Sequence, residues 1–506
     1  MTKPKDSERE REPPMRAWIA VAAGITLAAC AGTHPSGPQT GALASAVTGG
    51  RVIHVSRATP LADAVRIAHP GDVLVLEDGV HRGGVWIETS GAPGRPIVIR
   101  GPDEGHAVIE GGEETLNIGG GSHDLVIEAL ELRGSHDNVV HIQAGAHDIT
   151  LRDLVAHDAG PDGDVFKINQ ARDITIERVE CYHPGPRPDR PGGNPAQECI
   201  DFVHVDHAVV RQSYLHDGGN MLLYAKGGST RVLFEQNVIA GQGPEAIDPC
   251  VGLGAWSDDY VFEGRVYEAE DVLFRNNVVA NCRAGGVGVY DAHRVWVVNN
   301  TLLDDGEDVI QFRAGNAPRG ESRDVRIVNN AIVDRHGSMR RAWALLSHGL
   351  EGADIRNNAF WNAGGAMRAN DDALQCANGL CADPGLGGEA IAGETGRAMW
   401  LTRAEPCGQS VLLDRGVAME AIGAVHEDAR GRPRPLGGGL DIGALEADPR
   451  EAQACRVGAA RGTPRAQGGG PVEKTRSVRP VIGAAVVIGV AGAVGATKWM
   501  RRSAGR

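Results

Sequence analysis

The chain has 506 residues, 70 of them glycine, and aromatic residues make up only 4 %. That balance suits turn-rich β architecture and excludes a helical bundle. A net charge of −14 excludes nucleic acid as the main partner, because phosphate binding needs a basic surface; an acidic glycan remains open where a cation mediates.

Residues 1–16 are charged, and the apolar run Ala17–Ala29 ends in Leu27, Ala28, Ala29 and Cys30. A basic start, a short apolar core and small residues before the cut define a secretory signal over 1–30. The last four residues resemble a bacterial lipobox, which implies that Cys30 becomes the lipidated first residue of the mature protein. The acids in the charged start leave Met15 as an alternative first residue. Residues 31–50 are small and polar, a flexible linker.

Leu61, Ala62, Ala64, Val65 and Ala68 then recur at helical spacing, and Pro70-Gly71 stops the helix. Short strands are expected at 73–76, 85–87 and 97–101. A self-similar unit follows. Residues 271–277 return as 294–300 and 324–330, with an earlier version at 231–237 and a shortened copy closing at Asn357-Asn358. Within a copy, Val272 and Phe274 alternate with Leu273 and Arg275, the period of a two-faced strand. The Asn pair suits a bend in the left-handed region. A unit this short cannot bury its own apolar face, so it must stack on its neighbours. The expected fold is all-β: a right-handed parallel β-helix over 51–447, capped by the short N-terminal helix. Inward Val, Ile, Leu and Phe would form its core, with Asn side chains bonded in a ladder. A β-sandwich is the competing fold, but it lacks a sustained repeat of this length.

Earlier strands start at Asp124, Asp148, Asp173, His207 and Arg231. Two steps are long: one contains the insertion 184–195 and the next the insertion 245–267. Insertions on a solenoid fall on one face and often bind. After Asn358 the repeat fades. Residues 376–434 read as a closing region, and Gly438–Glu446 as a terminal element of the solenoid. A linker, 448–480, leads to the apolar run 481–497 and a basic tail, together a C-terminal hydrophobic helix over 481–506. The expectation is an exported protein of a bacterial cell envelope, anchored to the membrane by lipid, helix or both. Without Cys30, eight cysteines remain, which in an exported chain suggests disulfides. Cys376 and Cys381 flank a short loop, and Cys181 and Cys199 flank the first insertion.

Polar residues concentrate between 157 and 248. The order of helix, strands and coils resembles the secreted bacterial β-helix polysaccharide lyases of the alginate lyase and chondroitinase B group. The resemblance implies β-elimination on a uronic acid polymer, with the sugar carboxylate neutralised by Ca²⁺ or Arg and a Lys or Arg acting as base. Lys226 is the first candidate base and Lys167 the second. Only six of the 51 basic residues are lysines, and just these two lie in the repeat body; Lys can shed its proton in a desolvated site, whereas Arg cannot. Tyr224, His204 and His216 are the candidate substrate-binding residues. Glu198, Asp201, Glu245 and Asp248 are the candidate ligands for Ca²⁺, a hard cation that takes several oxygens. The sequence departs from the chondroitinase B pattern in having no Arg one coil after Lys226 and no acids just before it. The alternative function is a non-catalytic surface protein that binds a glycan or serves as an adhesive spacer. A polysaccharide or surface glycan is the partner in both.

Overall fold

A computed structural model describes residues 49–448 except 188–194, 348, 366–367, 370–371, 374–378, 388–393 and 420–425. The expected signal with Cys30, the expected helix 481–506 and Cys376 lie outside the described residues. Among those described, no helix is long and apolar enough to cross a membrane.

Short strands wind from Val52 onward, paired in parallel with their counterparts one coil later except for the antiparallel pair Arg368–Ala369 and Asp372–Ala373, through about eleven turns. The fold is a right-handed parallel β-helix. A coil contributes strands such as Ala269–Arg275, Val278–Ala280 and Val287–Tyr290. The first two kinds belong to a 24-stranded sheet and the third to a 12-stranded sheet. Register puts like residues above one another. Ile127, Leu151, Ile176, Val210, Phe234, Phe274, Val297 and Ile327 form one inward file, and all are buried in a continuous core. The helix Leu61–Arg66 buries Leu61, Ala64 and Val65 against the first strands and covers the open end of that core. Without it, the terminal coil would expose apolar surface and unpaired backbone.

The paired asparagines divide their work. The first of each pair, Asn276, Asn299, Asn329 and Asn357, has φ between 53° and 58°. That left-handed bend turns the chain between the first and second strands of the coil. The second of each pair points inward and is buried. Asn300 is typical: its Oδ1 accepts the backbone amide of Asn277 at 2.9 Å and the Asn277 side-chain amide at 3.1 Å. Its own amide donates to Phe274 O and Asn330 Oδ1, both at 3.0 Å. The ladder runs Asn237, Asn277, Asn300, Asn330, Asn358. It begins one coil earlier, where Asn237 accepts the Ser213 amide at 3.0 Å.

The outward asparagines hold something the repeat does not reveal. Gly438–Glu446, the expected terminal element, belongs to a closing region that lies back across the coils. Asn357 donates to Arg415 O, Asn329 to Val417 O, Asn276 to Glu427 O and Asn299 to Asp441 O, at 2.8–3.2 Å. Gln236, at the equivalent corner, donates to Asp428 O at 2.7 Å. The helix Gly396–Ala404 sets Trp400, Leu401 and Ala404 on the outer side of Val238, Val278 and Leu303. Those strands are apolar on both faces because both faces are covered. Arg434, fully buried, pairs with Glu446 at 2.7 Å and reaches Asn276 Oδ1 at 2.6 Å, so the strap carries its charge with a partner.

Cys181 and Cys199 are joined across the first insertion, with Cα atoms 5.9 Å apart. Cys250 and Cys282 form a second bridge inside the core, 5.7 Å between Cα atoms, which the sequence did not single out. Cys381 is disulfide-bonded, and so is Cys407.

Removing one inward asparagine orphans buried donors and acceptors on the coils before and after it, whereas an outward one loses contacts at the strap. Asn300→Ala is expected to lower the unfolding free energy by about 3 kcal/mol, and Asn299→Ala by about 1 kcal/mol. Urea denaturation of the two variants checks this; equal losses would contradict the division of roles.

Candidate functional site

On the 12-stranded sheet, several coils present the same frame: a polar residue, two inward apolar residues, a polar residue. Asn138 and His141 frame Val139-Val140, Asp164 and Lys167 frame Val165-Phe166, and Glu198 and Asp201 frame Cys199-Ile200. Strand pairing then aligns His141, Lys167, Asp201 and Tyr224 in one outward row. Lys226 lies two residues beyond Tyr224, at the end of the strand Leu223–Lys226.

The frame concentrates charge in a buried place. Asp164, Glu198 and Asp201 bring carboxylate oxygens within 4.8 Å of one another, and each is at most 3 % exposed. The Lys167 ammonium lies 3.2 Å from Asp164 and bonds directly to Asp201. Burial alone would lower the Lys167 pKa, but Asp164 and Asp201 outweigh it and hold the ammonium charged. Burial raises Asp201 too, yet Lys167 and Lys226 overcome it and keep this carboxyl ionised below its usual range. Glu198 goes the other way. Burial first, then Asp164 and Asp201, push it well above the usual carboxylate range. Asp164 is also raised, by burial that Lys167 only partly offsets. Tyr224 donates to Glu198 Oε2 at 3.1 Å, and burial followed by Asp201 and Glu198 keeps its phenol protonated. Two lysines therefore face one firmly ionised carboxylate and two carboxyls pushed toward their neutral forms. The lysines thus offset part of the cluster's negative charge.

Lys226 holds its Nζ 4.4 Å from the Tyr224 ring centroid. Beyond it the second insertion folds back. Buried Glu268 accepts the amides of Gly227, Ser257 and Asn316, all at 3.0 Å, and so ties the insertion to the end of the Lys226 strand. Upstream, His141 is held between Glu114 at 2.5 Å and Asn169 at 2.6 Å.

The structure redraws the roles expected from sequence. Lys167 is a caged counter-ion and not a base, because a base must release its proton and this one is held by two aspartates. Of the four expected metal ligands, Glu198 and Asp201 converge, and their third neighbour is Asp164. Glu245 is exposed in the insertion. Asp248 is paired with Arg313 at 2.7 Å and Asn220 at 3.1 Å. Ca²⁺ takes six to eight oxygens; here a lysine ammonium already lies among three carboxylates, bonded to Asp201 and 3.2 Å from Asp164. The cluster does not fit Ca²⁺ alongside Lys167. His216 is on the other sheet, stacked between Tyr182 and Tyr214 at 5.0 and 4.1 Å. His204 lies at a coil corner, 3.2 Å from Gly227 O and 3.7 Å from Glu263, where it helps seat the insertion. Neither histidine joins the row. His141, Tyr290 and Arg313 were not singled out, and Asp164 was noted only as one polar residue of the 157–248 stretch; the repeated polar–apolar–apolar–polar frame was the signal for His141 and Asp164.

Residues 198–378 match a family model described as a right handed beta helix region. No curated protein sequence matches the chain. Among solved structures, pectate lyase Pel9A is similar at 14 % identity and a TM-score of 0.47, covering 79 % of this chain and 97 % of that one. An alginate lyase from Paenibacillus sp. gives 18 % and 0.42, with 60 % and 99 % covered. The A-module of mannuronan C-5 epimerase AlgE6 from Azotobacter vinelandii gives 17 % and 0.46, with 66 % and 90 % covered. None of these likenesses bears on the chemistry of the site.

If Lys167 is the cage's counter-ion, Lys167→Met strands buried negative charge. Its unfolding free energy is expected to fall by about 3 kcal/mol, and adding Asp201→Asn should restore part of that. Denaturant titrations of both variants decide it; full stability in Lys167→Met would reject the cage.

Proposed function

We propose that this protein is a carbohydrate-active β-helix that cleaves an acidic polysaccharide by β-elimination on the outward face of the 12-stranded sheet. The observation that carries the reading is Lys226 beside Tyr224, whose hydroxyl is bonded into a buried cluster of three carboxyls and Lys167. The polymer would lie along the row, crossing successive coils. Lys226, acting in its neutral form, takes the proton from C5 of a uronate and becomes the ammonium. The C4–O4 bond breaks with its electron pair leaving on O4, and a C4=C5 double bond forms. Tyr224, backed by the protonated Glu198, returns a proton to O4. Lys167 fixes positive charge in the row and holds Asp201 in place. Positioned proton transfer of this kind contributes about 10²–10⁴-fold in rate.

Exposed aromatics on the same side favour a second reading, a glycan-binding protein without catalysis. Trp86, in register with Asn117 of the His141 row, is 61 % exposed, and Tyr260 of the insertion is 78 % exposed. Rings of this kind offer flat apolar faces to sugars. One assay separates the two readings. The purified protein is incubated with uronic acid polymers, and new unsaturated ends are measured beside binding. Lys226→Ala is expected to lose at least 100-fold in turnover while folding normally, and Lys226→Arg to lose most of it, since Arg cannot act as a neutral base. Binding without unsaturated ends supports the non-catalytic reading. Equal turnover in wild type and both variants removes Lys226 from the mechanism.

We also infer export and membrane anchoring, from the apolar run that ends at Cys30. Cys30→Ser should move the protein from the membrane to the soluble fraction. Unchanged partition in Cys30→Ser, together with release on deleting 481–506, would assign the anchor to the C-terminal segment instead.

A further inference from the structure

Arg313 follows Phe312, which pairs through Val289 and Leu253 to Ala225. It therefore stands three coils along from Lys226 in the same outward column, roughly 14 Å away at the ordinary spacing between strands. The side chain is fixed on three sides. Its guanidinium carbon is 5.7 Å from the Trp256 ring centroid and 6.0 Å from that of Tyr290. The two rings meet edge to face at 4.9 Å. Nη1 donates to Asp248 Oδ1 at 2.7 Å and to Tyr290 Oη at 3.4 Å. Both hydrogen bonds use Nη1. Among the described residues, none is made through Nε or Nη2, the parallel pair of donors that fits a carboxylate bidentately.

The surroundings suit a sugar. Gly288 leaves room for the Tyr290 ring, since a Cβ there would come within 2.4 Å of Tyr290 Cε2. Trp256 is 41 % exposed beside the guanidinium. Arg313 itself keeps 25 % of its side chain exposed. A planar cation locked by two rings and a carboxylate has already lost most of its rotamer freedom, so a ligand gains more from each hydrogen bond to it.

We propose that Arg313 and Trp256 form an accessory uronate subsite three coils from Lys226, in which the guanidinium takes a sugar carboxylate and the indole a pyranose face. The subsite rests on the reading of the row as an acidic-glycan groove, and it assigns the direction in which the polymer extends beyond Lys226. The pair is built for a carboxylate-bearing sugar, not a neutral one.

Full-length protein is titrated calorimetrically with oligouronates long enough to span three coils, with shorter ones, and with carboxyl-reduced oligomers of the same lengths. Arg313→Ala is expected to weaken the long oligouronates about tenfold to a hundredfold while sparing the short ones and the reduced ones. Arg313→Lys should recover little, because it keeps the charge but not the paired donors. Trp256→Ala, at an exposed position, should weaken long oligomers of both kinds. Thermal unfolding confirms that each variant is folded; if Arg313→Ala is not, unchanged affinity in Trp256→Ala overturns the subsite. Equal loss on acidic and reduced oligomers, or no loss, also overturns it. A wild-type protein that yields unsaturated ends while Arg313→Ala binds normally loses the subsite alone. A wild-type protein that neither binds nor cleaves any acidic oligomer loses the proposed function as well.

Discussion

A coil that turns inside a solenoid must bend sharply and still pair every buried amide. Two adjacent residues meet that demand here. One takes the left-handed bend, and the next turns inward and bonds the coil before it and the coil after it. Each buried asparagine thus ties neighbouring coils at a fixed corner. With the corner fixed, a strand cannot slip by one residue without moving its apolar file to the outside. The ladder runs from Asn237 to Asn358; the row His141, Lys167, Asp201, Tyr224 lies on the coils before it, where parallel strand pairing sets the register. Four residues from four coils become one surface only because no coil slides.

The electrostatics of the row show why a net charge describes solubility better than a site. The chain carries −14, yet its most buried carboxyls include one pushed far toward neutrality, Glu198, beside one held ionised, Asp201. The same burial acts on both; what parts them is the lysine bonded to Asp201 and the negative charge of Asp164 and Asp201 beside Glu198. Environments that drive two neighbouring carboxyls apart are the usual basis of acid and base roles in one site.

Much of the architecture was legible in the sequence because its cause is local and repeated. The Asn pairs, the alternation around Val272 and Phe274, and the amphipathic Leu61–Arg66 each announce their structure in a few residues. The site was less legible because its residues are brought together by register across insertions. Lys167 and Asp201 share a row although the insertion 184–195 separates them, and the step that contains 245–267 hides where the column of Lys226 continues. A search one coil beyond Lys226 finds no arginine; the column reaches Arg313 only after three. The closing strap was illegible for another reason. Its partners are backbone carbonyls bonded by surface-facing asparagines, and carbonyls leave no mark in a sequence.

That strap makes the solenoid countable. A stack of like coils has no intrinsic length, since each contacts only its neighbours and one more or fewer costs little. The segment 415–441 removes that freedom. It meets corners at 357, 329, 299 and 276, each a set distance along the stack. A duplicated or deleted coil between these corners would leave the carbonyls opposite the wrong residues. The strap therefore works as a gauge, closing fully only on a body of one length. Coil number in this stretch is held by a part of the chain that belongs to no coil, and recombination between repeats, tolerated in an open solenoid, would be penalised here.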